Sequence, residues 1–399
     1  MNKYINLLKS ELVFKQLSII QLLVYFGAWF SNVAIYTLLL ELEVQPQIIA
    51  FVASLHFLAG VFQAPFSGSI IDSVNSKKLM LLLIALQVVS TFLLIFVNDL
   101  SDLNLLYLLI FIKMSAASFY FTTEMSLLPK IISSDKLQNA NELHSIIWSL
   151  SYTFGMAMSG FLVFFFGIKF AFLLDVFMFI VSFILLYKVK IDIKKTNKKE
   201  KLLKMMVDTF SYIKNTPKTF HLILIHSFVG LSAFDVLIAL MVDKYYASIL
   251  ATSLALGLLN ASRAVGLVFG SVLMNRWLNN KFLIYVFIFQ ALSIWIWAYV
   301  MHNFYLSLVA SIIVGLFTTT LWSYTYTLLH KNIDEKYYGR VIAYNDMLFL
   351  SSSAFTSFTI GFLAQKSFSL EFIAVLIGLG FIVGAIYYSW ILNTQITKK

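Results

Sequence analysis

The chain has 399 residues, 60% of them hydrophobic and 12% charged, with a mean hydropathy of +0.86 and a formal net charge of +10. So apolar a composition excludes an ordinary soluble domain built around one core, and the absence of cysteine excludes disulfides and thiolate metal sites. The positive balance reads as cytoplasmic loops enriched in Lys and Arg rather than as a nucleic-acid surface.

Residues 1–16 carry Lys3, Lys9 and Lys15 and lead straight into an apolar run with no small-residue cleavage site, so the first helix is expected to be retained. Twelve apolar runs follow, each long enough to span a bilayer at about 20 residues per helix. They lie near 15–40, 46–71, 79–98, 103–128, 141–166, 168–188, 219–242, 250–275, 281–301, 304–329, 340–365 and 370–393. The four prolines, Pro46, Pro65, Pro129 and Pro217, sit at or near the ends of these runs, where a missing N–H costs least.

Most of the 29 Lys and Arg residues fall on the side of the first sixteen residues, and the opposite loops hold only Lys169, Lys244 and Lys366. This bias predicts that both termini are cytoplasmic, in a bacterial-type inner membrane. The long polar segment 188–218 carries ten lysines and separates six runs from six. It is expected to be a solvated linker close to anionic headgroups, with residues 200–214 as a short amphipathic surface helix. The predicted organisation is an all-α membrane protein with an N-terminal six-helix bundle at 1–187, a basic linker at 188–218 and a C-terminal six-helix bundle at 219–399. The halves echo one another: GSIID at 68–72 returns as GSVLM at 270–274, and SGFLV at 159–163 as IGFLA at 360–364, at nearly the same spacing.

Between the second and third runs stands FSGSIIDSVNSKKL, residues 66–79, with Gly68 and Asp72 on one helix face and Lys77 and Lys78 closing the turn. This resembles the signature loop of the major facilitator superfamily, G-x-L-x-D-R-x-G-R-K; Ser73, Asn75 and Ser76 replace its middle Arg, second Gly and second Arg. LLPKIISSDKLQNANEL at 127–143 and the GRV of LLHKNIDEKYYGRVIAYNDM at 328–347 are similar to the drug:proton antiporter-3 branch, which includes macrolide, siderophore and lysophospholipid movers. The first helix, FGAWFSNVAIYTLLLEL at 26–42, is also similar, but has Ala28 where an acidic residue is common in that branch. The resemblance implies the twelve-helix major facilitator fold, two six-helix pseudo-repeats, and a gating role for the signature loop. Asp72 is then expected near Gly339 and Arg340, at the start of the eleventh helix.

Ionisable groups inside the bilayer are costly, so each is a candidate for function. Lys113, Ala117, Tyr120 and Glu124 are spaced 4, 3 and 4 apart and form one face of the fourth helix, expected to line a polar cavity. Asp235 in the seventh helix and Arg263 in the eighth are candidates for proton coupling, Asp235 as carrier. Their depths differ by about 10 Å at 1.5 Å per residue, which leaves open whether they pair. Asp175 is expected near the outer end of a peripheral helix, as an interfacial residue. Trp322 and Tyr326 lie four apart and offer a stacking surface to an aromatic or cationic substrate. His56 reads as a hydrogen-bonded interior residue, and the scattered histidines indicate no metal site. Gly266 with Gly270 and Gly380 with Gly384 have the spacing of close helix packing.

The expected activity is secondary active transport by alternating access, with proton-coupled efflux of a small amphipathic or drug-like compound. No cofactor is implied, and the expected partners are a small-molecule substrate, protons and the lipid bilayer, with the chain as a monomer. Lysophospholipid flipping and siderophore export are the alternatives within transport. A membrane-embedded enzyme and a non-transporting sensor are the alternatives outside it.

Overall fold

The computed structural model describes residues 2–191, 202–274, 278–334 and 337–394, and all regular structure within them is helical. A short helix α1 (Asn2–Ser10) precedes α2 (Leu12–Glu41), α3 (Pro46–Ser73), α4 (Ser76–Leu93), α5 (Leu103–Ile131), α6 (Ser134–Phe166) and α7 (Ile168–Lys188). The lysine-rich centre of the linker, 192–201, lies outside the described residues. Then come α8 (Leu202–Asn215), α9 (Pro217–Ser227), α10 (Asp235–Met241), α11 (Thr252–Met274), α12 (Phe282–Val300), α13 (Phe304–His330), α14 (Tyr338–Gln365) and α15 (Leu370–Asn393).

Among the described residues, twelve segments are long and apolar enough to cross a membrane, and each expected run falls on one of them. A bilayer core offers no water to the backbone, so such runs close their amide bonds internally as helices. Their starts are set by local chemistry. Pro46 and Pro217 open α3 and α9, where their lack of an N–H costs nothing. The side chains of Asn75, Asn303 and Ser369 accept the first free N–H groups of α4, α13 and α15. Gly167, at φ 83°, makes the single-residue turn between α6 and α7 in a region glycine enters freely.

The seventh span departs from the continuous run expected at 219–242. It is α9, a 3-10 turn over Phe228–Ser232, the short α10 and a π turn over Val242–Tyr246. The interruption lies where Gly230 meets α14: a Cβ on Gly230 would stand 2.8 Å from the carbonyl oxygen of Phe349.

The residues fall into two compact units, one of Met1–Leu42 with Phe66–Lys199, the other of Glu43–Pro65 with Glu200–Lys399. In the first, α2 packs on α6 and α7, and α4 packs on α5 and α7. Leu17, Val24, Met80, Ile84, Tyr120 and Phe179 belong to its buried apolar cluster. Helix α1, which the apolar pattern does not announce, is held by Leu7 against Phe14, Leu128, Ile132 and Ala140. Two ion pairs fasten the same corner, Lys3 to Glu142 at 2.5 Å and Lys136 to Glu11 at 2.8 Å.

In the second unit α11 and α13 pack most intimately. A Cβ on Gly266 or Gly270 would overlap the carbonyls of Ile312 or Leu316, and one on Gly315 would overlap that of Arg263. Backbones approach this closely only when small residues face each other. Helix α12 packs on α13 and α15, and α9 packs on α14. The first part of α3 belongs here, with Ser54 donating to the carbonyl of Ala354 at 3.0 Å. The amphipathic α8 forms as expected and is docked by Tyr212, stacked on Tyr337 with ring centres 4.2 Å apart.

Candidate functional site

In the first unit the face of α5 that carries Lys113, Tyr120 and Glu124 is closed by side chains from α2, α6 and α7. Lys113 is 2% exposed, Tyr120 0% and Glu124 1%, so within the unit this face is packed rather than open to a cavity. Two polar clusters account for the packing.

The first joins Lys113 to Asp175. The ammonium lies 2.9 Å from Asp175 Oδ2, and Ser31 of α2 donates to the same oxygen. Asp175 is wholly buried, and not interfacial as its sequence position suggested. The approach is made possible by Gly27 on α2, where any side chain would collide with the Asp175 carboxylate. A lysine and a carboxylate removed from water in this way must pair, because an isolated buried charge is far more costly. The Phe179 ring adds a cation–π contact at 5.7 Å.

The second cluster surrounds Glu124, three turns further along α5. Tyr25 of α2 donates to Glu124 Oε2 at 2.9 Å, and His144 Nε2 of α6 stands 3.3 Å from the same oxygen. Gln21 steadies α6 by donating to the His144 carbonyl at 3.0 Å. The Tyr120 hydroxyl is buried and has no partner among the described residues. Nothing in the local sequence pattern singled out Tyr25 or His144. Their meeting with Glu124 depends on how three helices are turned about their axes.

In the second unit Arg263 Nη2 lies 3.6 Å from Asp235 Oδ1, so the two do face each other. Arg263 Nη1 also donates, at 3.4 Å, to the Ser232 carbonyl in the broken stretch of the seventh span. The pair thereby braces the broken stretch, beside the Phe234 N–H that the Ser232 carbonyl already accepts at 2.9 Å. Trp322 and Tyr326 are stacked, with centres 6.0 Å apart and planes within 11°. Around them stand His226, edge-on to both rings, and Phe349, at right angles to Trp322. The Tyr326 hydroxyl donates to Asp346 Oδ1 at 3.4 Å, and Trp322 keeps 38% of its surface exposed. His226 Nδ1 lies 2.8 Å from the Thr325 hydroxyl.

Gly68 and Asp72 lie on the last turns of α3, and their side chains are outside the described residues. Lys77 donates to the Tyr187 carbonyl at 2.8 Å and the Lys78 N–H to Asn75 Oδ1 at 3.0 Å, so the basic end of the loop fixes the start of α4. Gly339 is exposed with open space around its Cα, and Arg340 is half-buried. Among the described residues no group of three or more His, Cys, Asp or Glu side chains is placed to hold a metal.

No curated protein matches the sequence. Many solved structures match the chain in fold, among them three transporters that match nearly its whole length. The nucleoside transporter NupG superposes with a TM-score of 0.75 at 12% identity, covering 95% of this chain and 99% of its own. A bacterial homolog of the human lysosomal transporter Spinster, inward-facing and unoccupied, gives 0.77 at 13% identity, covering 97% and 98%. The POT family transporter PepTSo gives 0.76 at 10%, covering 98% and 99%. At these identities the likeness is one of fold and carries no substrate with it. The sequence pattern of the Major Facilitator Superfamily matches residues 17–300, most of the chain and the very stretch that holds both buried clusters of the first unit. This multi-pass membrane protein therefore belongs to the Major Facilitator Superfamily.

Proposed function

We propose that the protein is a secondary active transporter, not an enzyme, that exports a small amphipathic or drug-like compound in exchange for protons by alternating access. The resemblance of the 127–143 loop and the GRV at 339–341 to the drug:proton antiporter-3 branch supports this reading. Both termini are then cytoplasmic and the membrane is the inner one, following the distribution of Lys and Arg.

One observation carries the reading: ionisable side chains are kept inside apolar spans. Lys113, Asp175, Glu124 and His144 are each no more than 3% exposed. A lipid-facing or purely structural bundle is more cheaply built from apolar side chains, so such groups mark coupling or substrate handling. On the substrate side, the stack of Trp322 on Tyr326 offers a flat aromatic surface beside the Asp346 carboxylate.

The test is accumulation of a panel of amphipathic compounds in cells lacking or overproducing the protein, followed by flux in proteoliposomes under an imposed pH gradient. At least one compound is expected to be retained on deletion, and its efflux to collapse with the gradient. Trp322→Ala is expected to weaken aromatic members of the panel most. Flux indifferent to the proton gradient for every transported compound would remove the coupling.

A further inference from the structure

We propose that Glu124 and His144, with Tyr25 as a fixed donor, form a proton-binding site in the first unit that takes up and releases one proton per cycle. This rests on the reading of the chain as a proton-coupled transporter, and it locates the proton.

The carboxylate has two partners on one oxygen. Tyr25 O–H donates to Glu124 Oε2 at 2.9 Å, and His144 Nε2 lies 3.3 Å from that atom. The titratable groups facing Glu124 are these two and Tyr120, one turn back on α5. Helix α4, on another side of α5, has no titratable side chain between Leu79 and Leu93. Of the two lysines on α5, Lys113 is engaged with Asp175, and Lys130, nearer to Glu124 along the helix, is exposed. Among the described residues Glu124 therefore has no Lys or Arg partner, in contrast to Asp175.

The proton count follows from the contact. When His144 is neutral with its hydrogen on Nε2, it donates to a Glu124 carboxylate and the dyad carries one negative charge. One proton from bulk water then forms an N–H bond, giving imidazolium beside carboxylate, or an O–H bond, giving imidazole beside carboxylic acid. In either arrangement one hydrogen still lies between Oε2 and Nε2, and the net charge is zero. The proton can therefore pass between the cluster and water without the Glu124–His144 contact being lost. The Tyr120 hydroxyl, beside them, is buried and has no partner among the described residues.

The test is infrared difference spectroscopy of the whole protein in lipid vesicles as pH is changed, with no transport substrate present. A titrating carboxyl band is expected in the wild type. It should be lost in Glu124→Gln and displaced by about one pH unit or more in His144→Gln. If Glu124→Gln does not fold, Tyr25→Phe removes a single hydroxyl and should displace the same band. A Glu124→Gln spectrum identical to the wild type, or a midpoint unmoved by both milder variants, overturns the site. The two readings fail separately. A carboxyl band that behaves as stated in vesicles that export nothing leaves the site standing and removes export. Export with unchanged proton flux in Glu124→Gln removes the site and leaves export.

Discussion

Lys113 and Asp175 stand 62 residues apart in sequence, yet their charged atoms are 2.9 Å apart in the interior of the first unit. Their side chains are 3% and 0% exposed, so neither charge has water to fall back on. Removing one partner leaves the other buried and unpaired, which typically costs about 3–5 kcal/mol. Lys113→Ala is therefore expected to lower the melting temperature of the purified protein sharply. The double variant Lys113→Met, Asp175→Leu should recover much of the loss. Equal melting of the single and double variants would show that the pair contributes little.

Asp235→Asn separates a structural role from a carrier role in the second unit. Arg263 spans Asp235 and the Ser232 carbonyl, so the substitution should loosen the broken seventh span. The expected outcome is reduced thermal stability with substrate-driven proton movement retained, read with a pH-sensitive dye in proteoliposomes. Loss of proton movement at unchanged stability would return Asp235 to the role of proton carrier.

Gly315→Leu tests the tightest helix contact. Any side chain there meets the Arg263 carbonyl of α11, and forced separation of packed helices costs about 1–3 kcal/mol. Lower yield and earlier melting are expected, whereas Gly339→Ala, at an open position, should leave both unchanged.

Asp72→Asn removes the carboxylate of the signature loop without changing its volume. Transport should fall while the amount of protein in the membrane stays near normal, measured by flux and quantitative blotting. Full activity would detach Asp72 from gating.

Cysteine labelling checks the topology against a clean background, since the chain contains no cysteine. A cysteine at Asn197 should react only from the cytoplasm and one at Ser101 only from outside. Reaction of both from the same side would mean that the number of spans between them is even.

Much of the fold was legible because bilayer physics writes it into the sequence. Apolar runs of span length and prolines at their ends are local signals. The candidate site was legible only in part. Lys113, Glu124 and Asp235 are visible as charges in apolar runs, but their partners are not. Whether Asp175 faces lipid or Lys113 depends on a rotation of α7 that its almost uniformly apolar surface does not encode. The same holds for His144 and Tyr25, which meet Glu124 through the packing of α2 and α6. The break in the seventh span was also hidden, because residues 228–234 contain no proline and the close approach of Phe349 to Gly230 is a tertiary fact.

That break has a mechanical consequence. A continuous helix is a stiff rod and carries a push from one end to the other. The seventh span is two rods with a joint between them, since α9 and α10 share no uninterrupted ladder of amide bonds across Phe228–Phe234. The joint rests against α14 at Gly230, and the long, flexible side chain of Arg263 adds a second bond to the Ser232 carbonyl, which already accepts the Phe234 N–H. A change of angle there stretches the reach of Arg263 rather than tearing a helix. Strain arriving at the end that begins with Pro217 can therefore be absorbed at mid-span, and α10 can hold its orientation while α9 tilts.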